Sequence, residues 1–266
     1  MNLKKTIFLL PNVITLASIF CGFDAIRLAA EANGDEDFWR AALLLIFAML
    51  FDTLDGRVAR ATKTQSAFGL QFDSLADVVA FGVGPAMLVY KWSLHQLPHA
   101  IGIFASFAFV ACGAIRLARF NVLAMREKAA SAKPGKYIMG LPIPGAAGIL
   151  ISLVVANHAV KGDLRSRGYA YVLLAVVIAL SGFMVSTIKF RSFKDVRLNA
   201  RTVAFVAFVI GSSAAVSAYL KPAFVLVWLL GCYILMGVVE AILGVPKALA
   251  RRRERADGDR ISSPEV

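Results

Sequence analysis

The sequence predicts an all-α, polytopic integral membrane bundle of about eight transmembrane helices, and three observations carry that prediction. Hydrophobic residues fill 59% of the 266 positions and charged residues only 17%, with a mean hydropathy of +0.70, too apolar for a soluble domain. The apolar residues gather in runs close to the roughly 20 residues that a helix needs to cross the hydrocarbon. Most of the 29 lysines and arginines fall in loops that alternate spans place on one side, the positive-inside pattern. The formal net charge of +12 therefore points to membrane lipids as its partner and excludes nucleic acid.

The chain opens with a short amphipathic lead-in over residues 1–10, where Lys4 and Lys5 precede an apolar run. Pro11 and Asn12 interrupt that run too early for a signal-peptide core, so a retained helix is expected over 12–30. An acidic loop, EANGDEDF, follows. The second span starts near Phe38, but its purely apolar part, 41–51, is too short to cross, so the helix must continue through Asp52 and Asp55 to about Arg60. The third span, 70–90, takes Asp73 and Asp77 into its first turns. Further spans are expected over 101–122, 141–159 and 169–188. Residues 11–190 thus form the membrane core, 191–245 hold two additional helices over 202–219 and 223–243, and 246–266 form a basic tail expected to be disordered. Both termini, the loop between spans two and three, and the end of span four then face the cytoplasm, in a cytoplasmic (inner) membrane.

Asp52 and Asp55 are spaced i, i+3 and Asp73 and Asp77 i, i+4, so each pair shares one helix face. Both pairs lie at the same end of neighbouring antiparallel helices. Four anions there repel unless protons or cations compensate them. With no Cys or His nearby, hard oxygen ligands favour Mg²⁺, Mn²⁺ or Ca²⁺, and a pair of divalent ions suits displacement at phosphorus. Gly56 and Gly69 permit close approach of substrate or backbone, and Arg60 can hold a phosphate. The competing reading is a lattice of ion pairs with Arg57, Arg60 and Lys63.

The full pattern is Asp52-x2-Asp55-Gly56-x2-Ala59-Arg60-x8-Gly69-x3-Asp73-x3-Asp77. It resembles, without a departure, the signature of the CDP-alcohol phosphatidyltransferase family. The resemblance implies a dimetal site with two divalent cations, Mg²⁺ or Mn²⁺, on Asp52, Asp55, Asp73 and Asp77, and Asp77 as general base. It also implies contacts to CDP-diacylglycerol from Gly56, Arg60, Gly69 and Ser66. Pro11-Asn12-x2-Thr15 is similar to the family's PN-x2-T opening, which puts Asn12 near the nucleotide. A helix-start proline with a capping Asn explains the same residues. Homodimerisation is a further family expectation.

Three more stretches, SLADVVAFGVGPA after Asp73, AIRLARFN at 114–121 and GLPIPGAAG at 140–148, resemble the phosphatidylserine synthase branch of that family. This resemblance implies L-serine as the acceptor. Arg116, Arg119 and Asn121 then become candidates for binding the acceptor or a phosphate. On residue chemistry alone, the two arginines equally suit positive-inside anchors. Another acceptor, such as glycerol 3-phosphate, inositol or choline, keeps the same chemistry, and a divalent-cation transporter is the alternative of a different class.

Cys21, Cys112 and Cys232 occur singly in apolar runs and read as small buried residues. His95, His99 and His158 are expected in solvated outer loops. Trp39, Tyr90 and Trp92 are expected in an interfacial aromatic belt.

Overall fold

A computed structural model describes residues 3–129, 137–161, 167–187 and 189–191, together with Trp228, Gly231 and Cys232. It is helical except for one short ribbon. The expected spans over 202–219 and 223–243 and the C-terminal tail otherwise lie outside the described residues.

Helix α1 (Leu3–Glu31) is continuous through Pro11, so the lead-in and the first span are one helix. It turns at Gly34 into α2 (Asp35–Ala61), whose first turn carries Asp35, Glu36 and Asp37 against the positive end of the helix dipole. The most extensive helix contact in the molecule joins α1 to α2, and Ser18 Oγ donates to Ala48 O across it at 3.0 Å.

The third crossing, Ala67–Trp92, is built in three pieces. It begins as α3 (Ala67–Asp77), passes through a π-helical segment, Val78–Val83, and resumes as α4 (Gly84–Trp92). A Cβ on Gly22 of α1 would lie 2.8 Å from Ala80 Cα in that π segment, so only glycine admits this approach. After a 3₁₀ turn at Leu94–Gln96 come α5 (His99–Ala129), α6 (Ile143–Val160) and α7 (Arg167–Val185). Strand β1 (Tyr137–Met139) pairs antiparallel with β2 (Lys189–Arg191), joining the entry of α6 to the exit of α7.

Five of these segments are long and apolar enough to cross a membrane. Helix α2 falls outside that set because of its charges, yet it runs antiparallel along α1 and crosses with it. Side chains facing outward are large and apolar: Phe20, Phe23, Phe104 and Phe107 are each at least 61% exposed. That surface suits lipid. Inside, Ala25, Ala41, Ala48, Ala80 and Ala146 pack almost fully buried, the small-residue contacts that bring membrane helices close.

Two sequence expectations are corrected. Trp92 is 2% exposed and belongs to the core, since the composite third crossing turns it inward. His158 lies in the last turn of α6, stacked on Trp39 with ring centroids 5.1 Å apart, so it is not a loop residue.

Candidate active site

The loop between α2 and α3 sets the geometry. Helix α2 ends with Lys63 left-handed at φ 56, while Thr64 N donates to Ala59 O and Lys63 N to Arg60 O. These are the two bonds of a Schellman closure, here with lysine where glycine is usual. Ser66 then caps α3, its hydroxyl accepting from Gly69 N at 2.9 Å. This short reversal lays the last turns of α2 against the first turns of α3.

Carboxylate oxygens of Asp52, Asp55 and Asp73 consequently lie within 4.8 Å of one another. Asp77, one turn deeper in α3, makes a side-chain contact with Asp52 and stands in the electrostatic field of Arg116 from α5. Asp55 is 5% exposed. At such separations each like-charge pair costs roughly 3–4 kcal/mol at an effective dielectric of 20. Among the described residues, no ion pair links these aspartates to Arg57, Arg60 or Lys63. The donors are all carboxylate oxygens from two rigid helices, which fits a hard divalent cation. Asp52, Asp55 and Asp73 are thus a group able to hold such an ion.

Thr15 joins this group from α1. Its Oγ1 donates to Asp55 Oδ2 at 2.5 Å and also lies 3.0 Å from Pro11 O. One hydroxyl carries one proton, and the charged partner is the stronger acceptor. Asp55 is therefore oriented by a neighbouring helix.

Beside the carboxylates, a cavity of ≈ 260 Å³ opens between α1, α2 and α3. Asn12, Gly56, Arg60, Ser66 and Gly69 all line it, as do Asp55 and Asp73. The guanidinium of Arg60 lies over Gly56, 3.4 Å from where a Cβ would stand. Sequence spacing therefore brought these candidates to one place.

The RLARFN residues divide. Arg116 is buried and directed toward Asp77, whereas Arg119 Nη1 donates to Val185 O at the end of α7. Asn121 reaches α3, donating to Gln71 and Ser74. Gly140 of the GLP segment has φ 75, and a Cβ there would meet Met184 O at 2.3 Å. With Leu141 N bonded to Phe183 O at 3.0 Å, this motif fastens the start of α6 to the end of α7.

Sequence reasoning did not single out Gln65, Gln71 or Ser74, and used Thr15 only as part of a motif. A buried hydroxyl in an apolar run one turn after Asn12 was the available signal for Thr15.

The family model for CDP-alcohol phosphatidyltransferase matches residues 8–183. A CDP-diacylglycerol–serine O-phosphatidyltransferase of Helicobacter pylori is 34% identical over 94% of this chain and 98% of its own length. The protein of that name from Bacillus subtilis is 36% identical over 70% of this chain and 91% of its own. An archaetidylserine synthase of Methanothermobacter thermautotrophicus is 34% identical over 71% of this chain and 73% of its own. The match spans α1 through α7 and includes all four aspartates and the cavity beside them, and the chain belongs to the CDP-alcohol phosphatidyltransferase family.

Proposed function

We propose that the protein transfers the phosphatidyl group of CDP-diacylglycerol to L-serine, giving phosphatidylserine and CMP. The observation that carries this reading is the convergence of four aspartates beside a polar cavity at one end of the bundle. There a lipid headgroup and a water-soluble alcohol can meet. The names and coverage of the relatives support serine as the acceptor.

In this reading Asn12, Gly56, Arg60, Ser66 and Gly69 receive the CDP moiety in the cavity between α1, α2 and α3. Asp52, Asp55, Asp73 and Asp77 would hold two divalent cations, Mg²⁺ or Mn²⁺, which neutralise the pyrophosphate and stabilise attacking and leaving oxygens when bound. Thr15 keeps Asp55 in its ligating orientation. Asp77 accepts the proton of the serine hydroxyl as that oxygen forms its bond to the lipid-linked phosphorus. The phosphorus–oxygen bond to CMP breaks, and Arg60 screens the departing phosphate. Arg116, buried beside Asp77, attracts the serine carboxylate. Arg119, tied to the end of α7, acts as a structural anchor.

The same reading places the site and both termini on the cytoplasmic side of the inner membrane and allows a homodimer. Purified protein given CDP-diacylglycerol and a panel of labelled alcohols should incorporate serine into lipid with one CMP released per product. Incorporation of glycerol 3-phosphate, inositol or choline instead would replace the acceptor. Absence of CMP release with every alcohol would overturn the reaction.

A further inference from the structure

The polar residues around Asp73 and Asp77 fall on two sides of α3. Asp73 and Leu70 line the cavity shared with α1 and α2, whereas Gln71 and Ser74 do not and are bonded to Asn121 of α5 instead. An in-line displacement needs its nucleophile and its leaving group on opposite sides of the phosphorus. With the nucleotide on the α1–α2 side, the acceptor approaches from α5.

Asn121 is 6% exposed, so its hydrogen bonding can be accounted for atom by atom. Ser74 Oγ donates to Leu70 O at 3.1 Å, which leaves it as an acceptor toward Asn121. The group 2.9 Å from it is therefore the Nδ2 amide nitrogen. The second amide hydrogen goes to Gln71 Oε1 at 3.1 Å. Both donors of Asn121 are used, and its Oδ1 is a buried acceptor with no protein partner among the described residues. Leaving such an oxygen unmatched is costly, and a ligand donor would remove the cost.

We propose that Asn121, held by Ser74 and Gln71, is a specificity-determining residue that selects an acceptor alcohol carrying an ammonium group. This rests on the reading of the protein as a serine-accepting phosphatidyltransferase and deepens it. The Oδ1 atom offers only acceptor capacity, and among small alcohols an α-ammonium is the donor that glycerol 3-phosphate and inositol lack. Arg116 lies five residues earlier on α5, near Asp77, so carboxylate and ammonium of one amino acid have complementary groups on the same helix. Gln71 is exposed and yields as the ammonium enters.

The test compares L-serine with 3-hydroxypropionate, which keeps the hydroxyl and carboxylate and lacks only the ammonium. The enzyme in detergent micelles, with CDP-diacylglycerol and Mn²⁺, is assayed for CMP release. Wild type should prefer serine in kcat/KM by about 10- to 100-fold, the range of one hydrogen bond to a charged group. Asn121→Leu should bring the two acceptors to within about threefold, with the KM for CDP-diacylglycerol changed less than about twofold. A merely structural role would depress both acceptors equally and leave their ratio intact. Ser74→Ala retains Asn121 but removes the group that orients it, and should give an intermediate ratio even where Asn121→Leu does not fold. Ratios at the wild-type value in the folded variants overturn the inference. If wild type releases CMP only with an acceptor other than serine, the parent reading fails and the inference fails with it, a result distinct from an unchanged ratio.

Discussion

Thr15 shows how much of this site depends on single side chains outside the aspartate signature. Its hydroxyl reaches across from α1 to fix Asp55, and such outer contacts to ligating groups are worth about 10- to 100-fold in metal affinity. Thr15→Val keeps the shape and removes the bond. We expect the Mg²⁺ or Mn²⁺ concentration giving half-maximal activity to rise about tenfold, with the KM for CDP-diacylglycerol little changed; an unaltered metal requirement would show that Asp55 needs no such support. The four aspartates were legible in the sequence because carboxylates in apolar runs need a compensating partner and their spacing put each pair on one face. Thr15 was less so, since the bond depends on how α1 is rotated against α2. Arg116 and Arg119 looked equivalent at i, i+3, yet one points toward Asp77 and the other to Val185 O. Helical spacing gives a shared side of a helix and does not resolve which neighbour each long side chain meets.

Secondary elements were predicted well where hydropathy alone decides them. The first six spans follow the apolar runs, and α2 continues past Asp52 and Asp55 as the length requirement demanded. The π-helical turn Val78–Val83 was not visible, because one extra residue per turn leaves the hydropathy of a span unchanged. It alters rotation instead, which is why Trp92 lies in the core. The continuity of α1 through Pro11 was also missed; proline tolerates the first turn best, and here the helix begins earlier. The reversal after α2 makes a prediction of its own. Lys63 adopts a left-handed conformation that costs a non-glycine residue about 1–2 kcal/mol, partly offset for glycine by its greater unfolded-state entropy. Lys63→Gly should therefore stabilise the protein by about 0.5–1 kcal/mol, read as a higher thermal midpoint in detergent. A lower midpoint would mean that the lysine side chain contributes contacts that outweigh the strain.

At the level of the whole molecule, the charged loops, the apolar surface and the site agree on one arrangement. The carboxylates, the α2–α3 reversal and the β1–β2 ribbon share one end of the bundle, and the ion pairs among Asp24, Arg27, Glu31, Glu36 and Arg40 occupy the other. The positive-inside pattern assigns the first end to the cytoplasm. With Cys21, Cys112 and Cys232 replaced by serine, Lys63→Cys should react with a membrane-impermeant maleimide in inverted inner-membrane vesicles and resist it in intact spheroplasts. The opposite pattern would reverse the topology. Family membership was also legible, because the 26 residues of the signature are a chemical requirement with fixed geometry. The acceptor was less so, since the GLP segment turns out to serve the junction of α6 with α7.

The central claim is that these aspartates perform a metal-dependent transfer from CDP-diacylglycerol, with Asp77 taking the acceptor's proton. The most direct measurement is CMP release by purified wild type and Asp77→Asn, each with serine, before and after EDTA. Wild type should release CMP, stop when the metal is chelated, and recover with Mg²⁺ or Mn²⁺. Asp77→Asn should remain folded with turnover lowered by at least about 100-fold, as loss of a general base requires. Near-normal release by Asp77→Asn, or release by wild type that persists in EDTA, would contradict the account.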